Sequence, residues 1–372
     1  MILEKTNRFL FIAPRYHTNQ IHVVKALIND GHMVNFLAIE KEHIEDYTSI
    51  EPLIIKPSIL YKIIKRILRL NISQDRKYTI PSLRYVIESF KAFKPDVIII
   101  RNPYYIYSIF FLIVSKFVGA KPLLYTQDPY YTKKITNKHK MINLLCKLFK
   151  AKWITPVRGY ESDKKISKHI HFLPLVHPVF RIDKPLIRKE VNILMVGKFV
   201  QFKRHLLLIE SFNELAQKYK NIRLILVGEK TKSEHFEVYK EVDELISKYN
   251  LKNIIKVHFN IPNNEMSKFY IESDVFVLPS NGETYGYSSL EAISYGCPIV
   301  VSNNNGFQYN IINGFNGFVF NADDKADLIN KIELLITDKK YKTLFSNCLE
   351  YVEVNHSELA YLKKLQLILA IK

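Results

Sequence analysis

Glu283 and Glu291 stand eight residues apart in Asn281-Gly-Glu-Thr-Tyr-Gly-Tyr-Ser-Ser-Leu-Glu-Ala-Ile-Ser-Tyr-Gly-Cys-Pro298, directly after the apolar run Val275–Pro279. Gly282 and Gly286 permit a tight turn and close backbone approach, and helical sequence starts near Tyr287. A helix start offers unpaired N–H groups and partial positive charge, so the amides of Tyr287, Ser288 and Ser289 suit a phosphate. Glu283 then stays in the loop while Glu291 lies about one turn inside the helix. Different positions give the carboxylates different tasks: one can face a sugar, the other a ribose diol. The competing reading makes Glu283 a solvated loop acid and Glu291 an early-helix dipole partner.

A second segment, Val196-Gly-Lys-Phe-Val-Gln-Phe-Lys-Arg-His205, also closes an apolar run. Ligands of open α/β sheets sit outside the carboxyl ends of strands, so both segments point to one crevice. Lys198, Lys203 and Arg204 would offset the charge of a diphosphate leaving group, or Lys203 and Arg204 simply begin a solvated helix.

Other chemistries fail on spacing. None of the eleven glycines falls in GxGxxG, and there is no GxxxxGK[ST] loop, GxSxG elbow or HExxH pair. His169 and His171 form the one HxH, which suits alternation along an extended segment better than metal binding. Cys146, Cys297 and Cys348 are too scattered for a disulfide framework, which points to a reducing compartment.

Elements that would position these residues alternate along the chain as short β-branched runs and longer helical stretches, the pattern of parallel sheets covered on both faces. The first half supplies strands at Phe9–Ala13, Met33–Ala38, Val97–Arg101, Pro122–Thr126 and Trp153–Val157, with a helix Ile21–Asp30 closing at Gly31. Lys56 to Phe93 is strongly basic and irregular, with helical stretches. The proline-bearing segment His171–Lys189 reads as a linker. Beyond it the strands are Asn192–Gly197, Arg223–Gly228, Ile254–Phe259, Val275–Pro279 and Pro298–Ser302. Helices Arg204–Tyr219, Phe236–Tyr249, Met266–Ser273 and Tyr287–Tyr295 separate them, and a last helix Glu358–Ala370 follows Ser357. The expected domains are 1–185 and 190–345, with 346–372 a C-terminal helix that can return to the N-terminal domain.

With 372 residues, 48% hydrophobic and 24% charged, the chain suits two globular domains and not a disordered or fibrous one. The formal charge of +18 is one-sided: residues 1–185 hold 31 basic and 14 acidic side chains, residues 186–372 hold 23 and 22. Such a field concentrates anionic partners, among them a membrane face, unless it merely reflects a Lys-rich genome. Two runs carry the signal, Tyr61–Leu70 and Lys133–Lys150; either both rest on an anionic leaflet or both are solvated edges of core helices. Ile106–Val118 is too short and interrupted to span a bilayer. The start reads as a buried strand and not as a signal peptide.

Taken together, the two strand-end segments resemble glycosyltransferase family 4, a retaining family of two Rossmann-like α/β domains facing across a cleft (GT-B). The 283–291 loop matches that family's E-x7-E pattern, usually E-x-F-G-x4-E-A, with Tyr285 as the aromatic. The likeness covers about 192–320 well and the first half in outline, through Gly31-His32 and Lys94-Pro-Asp-Val97. It implies transfer of a sugar from a nucleotide-sugar donor, held by the C-terminal domain, to a glycan or lipid-linked acceptor of bacterial surface polysaccharide synthesis, held by the N-terminal one. On this resemblance Glu283 and Lys203 are catalytic. Lys198, Lys203, Gly286, Tyr287, Ser288 and Glu291 bind the donor, and backbone near Phe259–Ile261 lies by the base. No metal or cofactor is required, and the expected location is cytoplasmic, either free or peripheral on the inner face of the plasma membrane. Three positions depart from the family: Lys198 replaces an arginine, Pro14-Arg-Tyr-His-Thr18 replaces a Gly-Gly, and Asp128 stands where a histidine is usual or is a plain turn residue before Pro129. A sugar-nucleotide epimerase or an inverting transferase would share the fold. A nucleic-acid-binding protein would exploit the charge but lacks a basic-aromatic motif.

Overall fold

Apolar β-branched runs without polar alternation need cover on both faces, and the computed structural model gives it to them. It describes residues 6–41, 45–69, 76–182, 190–337 and 340–371. Two units result: the first runs through Val176 and takes in Glu358 onward, the second is His177–Ser357.

The first unit is built from β1 (Arg8–Ala13), α1 (Thr18–Asn29), β2 (Met33–Ala38), β3 (Leu53–Ile54), α2 (Ile59–Leu68), α3 (Leu83–Phe93) and β4 (Val97–Arg101). It continues with α4 (Ile106–Val118), β5 (Lys121–Tyr125), β6 (Tyr131–Thr132), α5 (Asn137–Phe149), β7 (Lys152–Thr155), β8 (Lys164–Lys165) and β9 (Ile170–Phe172). Seven strands form one sheet in the order β3-β2-β1-β4-β5-β7-β9, while β6 and β8 pair antiparallel. Parallel pairing aligns Phe9 with Val34 and with Val97. α1 stops where Gly31 takes a left-handed φ of 83° and His32 donates back to the Leu27 carbonyl at 3.0 Å.

The second unit holds β10 (Val191–Val196), α6 (His205–Lys218), β11 (Ile222–Gly228), α7 (Ser233–Lys248), β12 (Ile255–Phe259) and α8 (Ser267–Glu272). After these come β13 (Val275–Leu278), α9 (Tyr287–Ser294), β14 (Ile299–Ser302), β15 (Gly317–Phe320), α10 (Lys325–Ile336) and α11 (Lys340–His356). Its sheet runs β12-β11-β10-β13-β14-β15, all parallel. Every residue of β13 and β14 is buried, as a strand covered by helices on two sides requires. Strand order reverses between β10 and β13, so their carboxyl ends frame a switch point where the loops part.

The chain then returns to the first unit as α12 (Glu358–Ala370), which packs on α1. Asn29 donates to the Glu358 carboxylate at 3.0 Å. At the other end Lys121 and Lys152 donate to the carbonyls of Leu369 and Ile368, cations placed at the negative pole of the helix. The stretch 346–372 is therefore not one helix. It contains the end of α11 and all of α12, because the chain leaves helical register at Ser357. Strands β9 and β15 and helices α4, α5 and α10 were not read from the sequence as such. Strands β5 and β7 begin one residue before the expected positions. Part of the expected linker, 183–189, and Leu70 of the first basic run lie outside the described residues. Among the described residues no helix is long and apolar enough to cross a membrane.

Leu365 of α12 is fully buried, whereas Leu367 is exposed. Leu365→Ala should cost about 2–5 kcal/mol, and Leu367→Ala under about 0.5 kcal/mol, in urea titrations followed by circular dichroism. Equal midpoints for the two variants would show that α12 does not dock on its apolar face.

Candidate active site

Lys198, Lys203, Glu283 and the start of α9 lie at the carboxyl ends of β10 and β13, on either side of the switch point. After β10 the chain makes a short 3-10 turn, Gln201–Lys203, and Arg204 takes a left-handed φ of 58° before α6 begins. That turn swings Lys203 back over the end of β10, where its stem lies on Gly197: an added Cβ there would stand 3.2 Å from Lys203 Cδ and Cε. Its ammonium forms an ion pair with the Glu283 carboxylate. The side chains are 12% and 15% exposed, so the pair is mostly withdrawn from water.

Backbone hydrogen bonds lace the surrounding loops together. Asn281 N–H donates to the Phe202 carbonyl at 2.7 Å, Gly282 N–H to Asn304 at 2.9 Å, and Gly306 N–H to the Glu283 carbonyl at 2.9 Å. The loops after β10, β13 and β14 thus form one rigid layer. Gly306 is needed in it, because a Cβ at that position would lie 1.9 Å from the Thr284 carbonyl oxygen. Gly286, with φ at 78°, caps α9 beside the buried Asn305 side chain.

Lys198 pairs with Glu229 at 2.6 Å. Burial alone would raise the Glu229 carboxyl, but hydrogen bonds from Lys198 and Thr231 outweigh it and hold the acid below its ordinary value. Glu229 was missed from the sequence, although it follows β11 as Lys198 follows β10. Glu291 accepts a hydrogen bond from Tyr270 at 2.8 Å, which fixes the carboxylate from the α8 side. Burial, reinforced by Glu291, raises the Tyr270 hydroxyl well above its usual value, so it stays a donor. Tyr270 was also missed, since only packing brings α8 against α9.

Ser288 Oγ donates to the Val196 carbonyl at 3.3 Å and ties the start of α9 to the end of β10. Tyr287 sets its ring edge against His177. Two expectations change. Ser289 is buried and its N–H donates to the Gly286 carbonyl at 2.9 Å, so its amide is not one of the unpaired N–H groups expected at the helix start. The Arg204 guanidinium donates to the Ala322 carbonyl and braces the chain just after β15. Phe259 ends β12 within an aromatic cluster with Phe199 and Tyr239, and Lys230 lies 3.9 Å above its ring. His205, stacked on Phe199, is lowered to about 3 by burial and is neutral at physiological pH.

In the first unit the switch point falls between β1 and β4. Arg15 contacts His17 at 3.2 Å there, and Arg101 reaches Asn19 at 3.4 Å and covers the Tyr125 ring. Asp128 pairs with Lys138 at 3.0 Å and lies 3.6 Å from His139, while its carbonyl accepts from Thr155. It is therefore held in a local network and is more than a bare turn residue. The histidines 169 and 171 flank or enter β9, and among the described residues no cluster of three or more His, Cys, Asp or Glu could hold a metal.

Residues 179–347 match the family model for glycosyl transferases group 1. The capsular polysaccharide biosynthesis glycosyltransferase CapM of Staphylococcus aureus is 29% identical over 147 residues, 40% of this chain and 37% of that protein. The UDP-Gal:alpha-D-GlcNAc-diphosphoundecaprenol alpha-1,3-galactosyltransferase of Escherichia coli is 38% identical over 85 residues, 23% of this chain and 22% of that protein. The matches thus span well under half the length of these curated relatives. A solved glycosyltransferase from Rickettsia africae superposes with a TM-score of 0.74 at 18% identity, covering 99% of this chain and 100% of that one. Anabaena HepE in complex with UDP-glucose gives 0.72 at 14% identity, covering 98% and 100%. The fold is GT-B, two α/β domains with parallel sheets, and the sequence of the second domain is similar to the glycosyl transferases group 1 family.

Gly306→Ala should force the Thr284 backbone outward and cost about 1–3 kcal/mol of stability. Calorimetry should show a lowered melting transition; an unchanged one would mean that the loops after β13 and β14 are not locked together.

Proposed function

We propose that the protein is a retaining glycosyltransferase of the hexosyltransferase type that uses a nucleotide-sugar donor. One observation carries the reading: a mostly buried Lys203–Glu283 pair stands at the β10/β13 switch point, with Lys198 and the start of α9 beside it. Cations and helix amides gathered at a strand end suit a diphosphate, and UDP-glucose in the HepE complex is a ligand of that chemistry.

In this reading Lys203 and Lys198 bind the two phosphates, with the amides of Tyr287 and Ser288. Glu283 contacts the hydroxyls of the donor sugar, and Glu291, held by Tyr270, accepts from the ribose hydroxyls. The backbone near Phe259–Ile261 lies by the base. As the bond between the anomeric carbon and the phosphate oxygen breaks, negative charge grows on the diphosphate and the lysines and amides stabilise it. An acceptor hydroxyl forms the new bond on the same face and gives its proton to the departing phosphate oxygen, so configuration is retained. The cations supply the charge stabilisation that a metal gives elsewhere, so the reaction needs none.

The acceptor is a glycan or a lipid-linked sugar held by the first unit, near Arg15 and Arg101. Support comes from CapM, named for capsular polysaccharide biosynthesis, and from the E. coli enzyme, whose name specifies a diphosphoundecaprenol acceptor. An acceptor of that kind places the protein at the cytoplasmic face of the plasma membrane, in surface polysaccharide synthesis.

Lys203→Ala and Glu283→Ala should each reduce turnover of the nucleotide sugar by about 10²-fold or more. Because the two side chains share one contact, the double variant should lose far less than the product of the single losses. Near-normal turnover in both single variants refutes the site. NMR of the product should show the donor's anomeric configuration kept; inversion would point to the inverting alternative.

A further inference from the structure

The helix α2 spends its apolar residues on solvent. Ile59, Ile63 and Ile67 recur every four residues, so they line one stripe, and they are 78%, 52% and 71% exposed. Leu60 and Leu68 are exposed as well, and Tyr61 is the one fully buried side chain of the helix. A core helix turns such a stripe inward; here it faces out. Lys62, Lys65 and Arg66 are exposed beside it.

Orientation of the helix is fixed. Ser58 caps it, accepting from Tyr61 N–H at 3.1 Å. Ser58 N–H donates to the Ile80 carbonyl and Ser82 N–H to the Lys56 carbonyl, both at 2.8 Å, around a bridge between Pro57 and Pro81. That bridge ties the start of α2 to the start of α3, where Leu83 and Ile87 are exposed. Residues 56–94 carry ten lysines and arginines against two acids, Asp75 and Glu88. α5 differs: it turns Ile142, Leu145 and Cys146 inward as a core helix does, and leaves Met141, Leu144 and Leu148 outside.

We propose that α2, with the adjoining start of α3, is a membrane-docking element. Its isoleucine stripe enters the interfacial region of an anionic phospholipid leaflet, and its lysines and arginines lie among the headgroups. An amphipathic helix lying in the interface plane has this composition, and a surplus of eight positive charges in 39 residues complements an anionic surface. The same charge argues against a second copy of the chain as occupant, since a two-fold contact would set one surplus against the other. The inference rests on the lipid-linked reading of the acceptor for its purpose, but its test needs no turnover, so the two can fail separately.

The test is flotation of the full-length protein with vesicles of phosphatidylglycerol and phosphatidylethanolamine, beside vesicles of phosphatidylcholine alone. Wild type should float with the anionic vesicles at low salt and remain behind with the neutral ones. Ile63→Asp/Ile67→Asp should lower the bound fraction by about tenfold or more, and Lys62→Glu/Lys65→Glu/Arg66→Glu should do likewise at low salt. Leu367→Asp, at an exposed apolar residue of α12, should float as wild type does. Melting curves check that each variant folds, and turnover of a water-soluble acceptor should be unchanged in all three. No flotation of wild type, or undiminished flotation of both the isoleucine and the charge variants, overturns the proposal. So does a dimer in sedimentation that Ile63→Asp/Ile67→Asp abolishes without any lipid binding.

Discussion

The ion pair between Lys203 and Glu283 is the constraint on which the rest of the site depends. Two charges so far withdrawn from water are costly to keep apart, and each is stranded if the other is removed. The pair therefore holds Lys203 over Gly197 and Glu283 at the mouth of its loop before any ligand arrives. A diphosphate entering there would offer Lys203 a second anion and let Glu283 turn part of its hydrogen-bonding capacity toward a sugar. Binding energy would then go into sharing a preset cation, and little of it would be needed to order a loop.

Rigidity of the surroundings makes that pre-setting work. The loops after β10, β13 and β14 are joined by main-chain bonds, with Gly286 and Gly306 at points where a side chain would collide. Lys198 is held by Glu229, and Glu291 by Tyr270. Each residue assigned to the donor thus has a partner behind it, which is how a site keeps its geometry to within a fraction of an ångström.

Much of this was legible in the sequence, for physical reasons. Buried parallel strands leave unbroken β-branched runs, and the glycines and charges that follow them mark the strand ends, so Lys198, Lys203, Glu283 and Glu291 stood out with their elements. The partners did not. Glu229 meets Lys198, and Tyr270 meets Glu291, only through packing of segments far apart in the chain, and no local spacing encodes such a meeting. Ser289 was placed among the phosphate-facing amides because a sequence shows where a helix begins but not how tightly its first turn closes. β15 opens at Gly317 within the stretch Asn313-Gly-Phe-Asn-Gly317, whose turn residues hide a short apolar run. The apolar stripe of α2 has the same spacing as a core stripe, so the sequence left open which way it faced. Burial alone settles that.

A crystal structure of the protein with a nucleoside diphosphate tests the central claim most directly. The account predicts phosphate oxygens within hydrogen-bonding distance of Lys203 and Lys198 and of the first amides of α9, at the β10/β13 switch point. A diphosphate bound away from those strand ends, with the Lys203–Glu283 pair untouched, would contradict it.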